Sequence, residues 1–325
     1  MNPSNVKQLF TRLLAKTGMS VKQCAVVILA LSVVFQACKK DRAAAKPALG
    51  YTSGSAFYNK YQQQEQVFQV DSPGTGPIIG KMGTKLYPYA NIFMFPNGAN
   101  VTYPFTVKLI EIYPVKDIIL SNMPTVAGGK IMESKAEIRA RAFKGTTELV
   151  LRPGRKFGME TATVSNMLTG MSVFYGFPNG SITDWTNNVT TLDPTITPDT
   201  LSSVANLTSS YAMTIARMGW TACARLLSYT GGTSAITFTA TGNNPQNIDV
   251  FLVFKNNPTS VMKAYNLQSG QIPLGTQVTM VAIAYDQTGA LVYDMQSLTV
   301  TSGMTVTLNP VATTESALLG VLSGL

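Results

Sequence analysis

Carboxylates and cysteine thiols are the groups through which this sequence could do chemistry, because its 325 residues include no histidine. The missing imidazole excludes a Ser-His-Asp or Cys-His constellation and a histidine metal ligand. Two carboxylates about 5 to 9.5 Å apart could still hydrolyse a glycosidic bond, but sequence spacing does not pair the aspartates of the second half. They are Asp184, Asp193, Asp199, Asp249, Asp286 and Asp294. We therefore predict no catalytic residue, no metal site and no cofactor.

An acidic residue directly before an aromatic ring, at Asp184 and Trp185, could contact a sugar. Tryptophan is more often a core or interface residue, so a packing role for Trp185 is the alternative. Tyr175 and Phe177 lie on the preceding predicted strand. We interpret these four residues as candidate contacts to a carbohydrate or a protein.

The three cysteines lie in different surroundings, at Cys24, Cys38 and Cys223. Cys38 follows an apolar run over residues 25–35, which is shorter than the roughly 20 residues that span a bilayer. A basic flank, an apolar segment of this length and the small Ala37 are typical of a signal peptide. If Cys24 leaves with that peptide and Cys38 is acylated, Cys223 is alone and forms no disulfide within the chain.

The stretch "MSVKQCAVVILALSVVFQAC" resembles the lipobox of bacterial lipoproteins, with Phe35 and Gln36 as departures from the usual pattern. The alternative is a buried apolar helix with an incidental cysteine. The resemblance implies a signal peptide over residues 1–37 and a diacylglyceryl group on the thiol of Cys38. This stretch begins at Met19, so Met1 and Met19 both stay open as start sites, and either gives the same mature chain.

Residues 38–62 are predicted to form a flexible tether, because "KKDRAAAKPALG" is polar, lacks aromatic residues and contains proline. The segment "CKKD" resembles the charged tag that follows the lipidated cysteine in Bacteroidota lipoproteins. Some of those proteins are carried to the outer face of the outer membrane. The resemblance therefore implies an outer-membrane, surface-displayed protein, with periplasmic retention as the alternative.

Composition and charge favour an all-β protein with two β-sandwich-like domains. Charged residues make up only 13 % of the chain, and turn pairs such as Asn97-Gly98 recur between alternating segments. Residues 38–160 carry 17 basic and 9 acidic side chains, whereas residues 161–325 carry 4 and 7. This difference predicts a first β-domain over 63–160 and a second over 161–325.

The first predicted domain contains clear strand patterns. "PFTVKLIEIY" alternates Phe105, Val107 and Leu109 with polar residues, and "EIRARAF" places Ile138 on one face and Glu137 on the other. A period of two predicts strands with one face in a core and one in water. Between them, "PVKDIIL" predicts one short helical turn. A strand in "TELVLRPGRKF" is predicted to end at the Pro-Gly pair.

The segment Gly83–Phe157 resembles the ZU5-like β-domain of Bacteroidota surface lipoproteins. The shared pattern is a "GTK" strand, an "NG" hairpin, a "V-x-L-x-E" strand, "DIILS", then "ES" and a final "L-x-P-G" turn. The resemblance covers under a quarter of the chain, and its motifs are structural. Some ZU5 proteins cleave themselves at a His-Phe-Ser site, and this mechanism does not carry over to a chain without histidine.

The second predicted domain begins with a hairpin in "MSVFYGFPNGSITDW", followed by a long polar loop over residues 186–210. Alternating or apolar strands follow in "AITFTATG", "IDVFLVFK", "QVTMVAIAYD", "ALVYDMQSLTV" and "MTVTLNP". They predict an antiparallel sandwich that resembles carboxypeptidase-regulatory or fibronectin-like modules. The segment "TTESALLGVLSGL" predicts a C-terminal helix, with Thr313 or Thr314 as its N-cap and Glu315 in its first turn.

Two surface features suggest partners. The basic residues of the first domain could attract an anionic polysaccharide or protein, but the interleaved Glu111, Glu133, Glu137 and Glu148 favour an ordinary solvated sheet face. The triplet Asp199–Leu201 fits the acceptor pattern for O-glycosylation in exported Bacteroidota proteins, which makes Thr200 a candidate acceptor.

These patterns together predict a lipid-anchored envelope lipoprotein that binds a partner or has a structural role, and that is not an enzyme. The anchor is the membrane partner, and the second partner is a polysaccharide or an envelope protein. Nucleic acid is not expected. Two alternatives stay open: a carboxylate-based glycan hydrolase or lyase, and an accessory subunit of an uptake or secretion complex.

Overall fold

The computed structural model describes residues 50–325 apart from 75, 180–181, 195 and 197–201. In this part of the chain the fold is built from 25 mostly short strands. The first eleven are β1 (Thr52–Ser53), β2 (Gln66–Val70), β3 (Ile78–Ile79), β4 (Lys85–Tyr87), β5 (Phe93–Met94), β6 (Phe105–Ile112), β7 (Val126–Ala127), β8 (Lys130–Lys144), β9 (Thr147–Glu148), β10 (Val150–Leu151) and β11 (Phe157–Glu160). The others are β12 (Ser172–Asn179), β13 (Ile182–Thr186), β14 (Ser203–Asn206), β15 (Tyr211–Ile215), β16 (Gly219–Leu226), β17 (Thr233–Ser234), β18 (Thr237–Ala240), β19 (Asp249–Phe254), β20 (Val261–Ala264), β21 (Ile272–Pro273), β22 (Gln277–Tyr285), β23 (Leu291–Thr299), β24 (Thr305–Leu308) and β25 (Val311–Ala312). The predicted all-β fold class is confirmed.

Three short α-helices accompany these strands in the described residues: α1 (Ser55–Tyr61), α2 (Val115–Leu120) and α3 (Glu315–Ser323). Helix α2 is the predicted helical turn. Helix α3 is the predicted C-terminal helix: the side chain of Thr314 accepts a hydrogen bond from the backbone N–H of Ala317 at 3.2 Å, and Glu315 lies in the first turn. These two predictions are confirmed.

Three sheets organise the strands. The central sheet has the order β13-β12-β16-β8-β6-β2, with β7 and β9 also paired to β8. The outer sheet has the order β14-β15-β11-β4-β3. The C-terminal sheet has the order β20-β19-β22-β23-β25, with β1 paired to β22. The short pairs β5–β10, β17–β21 and β18–β24 complete the arrangement.

Buried side chains form one core on each side of the central sheet. On one face, Leu109 and Ile138 pack with Met159 and Met213 of the outer sheet. On the opposite face, side chains of the central sheet pack with the helices and with the C-terminal sheet, as for Phe251. A further core lies between the other face of the C-terminal sheet and the β18–β24 pair. The central sheet is therefore covered on both faces.

This coverage corrects the prediction of a solvated sheet face. Glu111, Glu133 and Glu137 are 1 %, 5 % and 0 % exposed. Glu111 accepts from the backbone N–H of Thr84 at 3.0 Å, and Glu133 accepts from the guanidinium of Arg225 at 2.8 Å. Glu137 has no hydrogen-bond partner among the described residues. A period of two separates two faces of a strand, but it does not reveal that a second layer covers the polar one.

The strand pairing also corrects the predicted division at residue 160. Strand β16 pairs with β8, and β15 pairs with β11, so strands from both sides of that division share two sheets. The first sandwich consists of the central and outer sheets, which run from β2 to β16. Apart from β1, which pairs with β22, the strands of the second sandwich follow from β17 onward, so the division between sandwiches lies between Leu226 and Thr233. Residues 49–325 form one compact unit.

Three local predictions also need correction. The predicted tether over 38–62 includes residues that fold, because β1 and α1 lie within it and Phe57 of α1 is buried. Within the predicted polar loop 186–210, residues Ser203–Asn206 form β14, which pairs with β15. In the second sandwich, β18 and β24 pair in parallel, whereas the prediction was an antiparallel sandwich. The hairpin of β12 and β13 is confirmed, with Tyr175 opposite Thr186 and Asn179 opposite Ile182.

Candidate functional site

The turn between β10 and β11, with the sequence Arg152-Pro153-Gly154-Arg155, is the centre of the candidate site. The backbone N–H of Arg155 donates to the carbonyl of Arg152 at 2.9 Å. Gly154 has a φ of +74°. Proline at the second position and a glycine with positive φ at the third define a type II turn, which brings its end residues within about 7 Å of each other. The turn therefore brings the backbones of two arginines close together.

The first of two clefts beside this turn is called the Tyr89 cleft. Its volume is about 780 Å³, and both Arg152 and Arg155 contribute to its wall. Tyr89 is 47 % exposed, and the neutral side chains of Asn91 and Asn100 lie on the same wall. Among the described residues that line it, none is acidic. The Tyr89 cleft thus combines an accessible aromatic ring, amide groups and positive charge.

Two hydrogen bonds hold the wall of the Tyr89 cleft. A guanidinium nitrogen of Arg152 donates to the side-chain oxygen of Asn100 at 2.5 Å. The hydroxyl of Tyr103 accepts from the backbone N–H of Ala90 at 3.1 Å, which fixes the chain next to Tyr89. The site is therefore supported by contacts that join the segment before β5, the loop after β5 and the arginine turn.

The second cleft, called the Arg217 cleft, has a volume of about 420 Å³ and shares Arg152 and Arg155 with the first. Arg217 adds a third guanidinium, and Glu148 and Asp193 also line it. Glu148 accepts from Arg141 at 2.7 Å, a hydrogen bond that lowers the pKa of this carboxyl group. The wall of the Arg217 cleft therefore carries three guanidinium groups and two carboxylates.

Tyr175, a predicted contact residue, lies behind the Arg217 cleft instead of on its surface. Its side chain is 1 % exposed, and burial raises the pKa of its hydroxyl group. The hydroxyl oxygen accepts from the backbone N–H of Ala216 at 2.9 Å and also hydrogen-bonds to Ser202. Because Ala216 precedes Arg217, Tyr175 positions one wall of the cleft.

The other predicted contact residues do not assemble into a binding surface. Trp185 is 1 % exposed, and its indole N–H donates to the carbonyl of Pro124 at 2.9 Å. Asp184 accepts from the backbone N–H of Gly128 at 2.9 Å. Phe177 is partly exposed and lies opposite Asp184 in the hairpin register. The prediction that Tyr175 and Trp185 contact a ligand is corrected by their burial in the two cores of the central sheet.

The aspartates that could have formed a carboxylate pair have separate structural contacts. Asp249 forms an ion pair with Lys263 at 2.8 Å. Asp286 accepts from the hydroxyl of Thr288 at 2.6 Å, and this hydrogen bond lowers the pKa of the carboxyl group. Asp294 accepts from the backbone N–H of Asn309 at 2.8 Å. Asp199 lies outside the described residues.

Cys223 is fully buried in the core between the central and outer sheets and is free. Burial raises the pKa of its thiol to about 12. A thiol in this state is protonated at neutral pH, so it packs as a small apolar group.

Several predictions fall on residues that the structure does not describe. These residues are Cys38, the segments before and directly after it, and Thr200. No helix within the described ranges is long and apolar enough to cross a membrane. Those ranges also contain no group of three or more histidine, cysteine or acidic side chains that could hold a metal ion.

Comparison with known proteins gives no assignment: no protein-family model matches the sequence, and no curated protein matches it. The ZU5-like resemblance therefore stays a prediction, and the function has to be argued from the residues and the geometry.

Proposed function

We propose that this chain is a lipid-anchored envelope lipoprotein whose folded part is a binding module. The proposed lipid anchor is supported by the sequence around Cys38, where a basic flank, an apolar segment and a small residue precede a cysteine. Acyl chains contribute about 0.8 kcal/mol for each buried CH₂ group, so two or more chains anchor a protein stably. The charged tag after Cys38 supports location in the outer membrane, on its surface.

The clefts beside the arginine turn support a binding role for the folded part. A small-molecule or glycan site is concave and combines aromatic surface with a few polar groups that fix the ligand. The Tyr89 cleft has this character, with an exposed ring, two amides and two arginines. The module thus binds a ligand outside the cell while its N-terminus is held in the membrane.

Replacing Cys38 with alanine is expected to remove the protein from the membrane fraction and to leave the signal peptide uncut, because lipidation precedes cleavage at a lipobox. Membrane fractionation and immunoblotting of cells that express each variant measure both effects. Cys223→Ala is the matched control, since its thiol is buried in the fold and takes no part in anchoring. A Cys38→Ala protein that stays membrane-bound and is processed normally would contradict the proposal.

Surface location is tested separately. Proteinase added to whole cells is expected to degrade residues 50–325, whereas a periplasmic marker protein stays intact. Protection of the chain in whole cells, with degradation only after the outer membrane is opened, would contradict surface display and leave a periplasm-facing lipoprotein.

A further inference from the structure

We propose that the Tyr89 and Arg217 clefts together bind an acidic polysaccharide, whose charged groups contact the Arg152–Arg155 turn and whose sugar rings contact Tyr89. This inference rests on the proposed binding function and specifies its ligand class. The two clefts are not lined by the predicted Tyr175, Phe177, Asp184 and Trp185, although Tyr175 supports the Arg217 cleft from behind.

The arginine turn brings positive charge to the wall that the two clefts share. A type II turn closes between Arg152 and Arg155, and both arginines line both clefts. One guanidinium nitrogen of Arg152 donates to the neutral side chain of Asn100. An anion bound at this wall is attracted by both positive charges. The guanidinium fork suits carboxylate and sulfate groups, because it donates two parallel hydrogen bonds.

A sugar fits better than a simple anion or a lipid. The Tyr89 ring is 47 % exposed at the wall of a cleft of about 780 Å³, which offers an aromatic surface and a phenol group to a pyranose ring. Asn91 and Thr102 add neutral hydrogen-bonding groups that match hydroxyls. An acyl chain would bring no polar or charged group to the two arginines at the wall of this cleft.

A polymer fits better than a single sugar acid. Arg152 and Arg155 line both clefts, so the turn lies between them. Arg217 supplies a third cation in the second cleft, so its three arginines outnumber the two carboxylates, Glu148 and Asp193, that also line it. Neighbouring acidic sugar units of one polysaccharide can therefore bind on both sides of the turn.

The test is calorimetric titration of the full chain in detergent micelles with hexagalacturonate, which carries carboxylates, and with a heparin hexasaccharide, which carries sulfates. Maltohexaose and inorganic phosphate are the neutral and the non-sugar probes. We expect binding of one or both acidic oligosaccharides, binding that weakens as salt is added, and at least about 10-fold weaker affinity for maltohexaose and phosphate. The acidic probe that binds more tightly identifies whether carboxylate or sulfate is preferred.

The variant Arg152→Gln with Arg155→Gln is expected to weaken that binding about 10-fold or more, because charge-assisted hydrogen bonds are lost. The matched control, Lys130→Gln with Lys255→Gln, removes two exposed charges outside both clefts and is expected to bind normally. Tyr89→Ala is expected to weaken the oligosaccharide but not phosphate. Thermal unfolding of each variant confirms that the fold persists.

Three results would overturn the inference: neither acidic oligosaccharide binds, phosphate binds as tightly as they do, or the arginine variant binds as well as its control. These results are independent of anchoring, because the titration is done in detergent. If the chain needs Cys38 for membrane attachment but binds neither acidic oligosaccharide, the proposed lipid anchor stands and only the proposed ligand class is refuted.

Discussion

Replacing Glu137 with methionine is expected to raise the free energy of unfolding by about 2–4 kcal/mol at pH 8. The Glu137 side chain is fully buried, and neither of its carboxylate oxygens has a partner among the described residues. Its neighbours across β6 and β16 are Ile112 and Ala222, both members of the apolar core that faces the helices. A flexible apolar side chain of similar size removes the cost of burying the carboxyl group.

The stabilisation should depend on pH. Burial raises the pKa of Glu137 well above its ordinary value of 4.5, so the unfolded chain loses this proton at lower pH than the folded protein does. The contribution of Glu137 to stability is therefore fully present below pH 4.5 and is lost as pH rises toward the folded-state pKa. In that range the stability falls by about 1.4 kcal/mol per pH unit through this group alone.

Urea unfolding of both proteins between pH 4.5 and pH 8 measures this effect. The advantage of the methionine variant should grow with pH. Glu133→Met, on the same strand, is the matched control: Glu133 is also buried but is paired with Arg225, so its replacement should destabilise the protein. An advantage that is absent at pH 8, or that is constant across the range, would contradict this account of Glu137.

Replacing Trp185 with alanine is expected to lower the free energy of unfolding by about 3–5 kcal/mol. Trp185 is among the largest fully buried side chains and packs in the core between the central and C-terminal sheets. Its ring lies against Gly176, its register partner, where an added Cβ would be only 2.9 Å from the ring. Alanine removes the ring and also leaves the carbonyl of Pro124 without its indole donor.

Chemical denaturation measures this loss, with Tyr89→Ala as the matched aromatic control. Tyr89 is 47 % exposed, so its removal should change the free energy of unfolding by less than about 1 kcal/mol. A Trp185→Ala protein of unchanged stability that no longer binds its ligand would contradict the packing role and favour the contact role that the sequence predicted.

The positions of the strands in this protein can be predicted from its sequence, whereas the burial of each strand face cannot. The strand around Ile138 and the capped helix at Thr314 depend on neighbouring residues, and both of these elements are confirmed. The burial of Glu137 depends on helices and strands that are distant in sequence. The same holds for the pairing of β8 with β16, which places strands from both sides of residue 160 in one sheet.

The candidate site shows the same limit. The sequence predicts the turn at Pro153-Gly154, and the two flanking arginines belong to the basic residues of the first predicted domain that could attract an anionic polysaccharide. The contribution of Arg217 depends on the tertiary fold, because its position follows from a hydrogen bond between Tyr175 and Ala216. Aromatic type alone pointed to Tyr175 and Trp185, which are core residues, and not to the accessible Tyr89.

Intact mass spectrometry of the chain extracted from membranes tests the central claim most directly. The account predicts a mature polypeptide that begins at Cys38, with added mass equal to a diacylglyceryl group and any further N-terminal acyl chain. A mass that corresponds to an uncut chain, or to a chain that begins at Cys38 without any added lipid, would contradict the claim that this protein is anchored through Cys38.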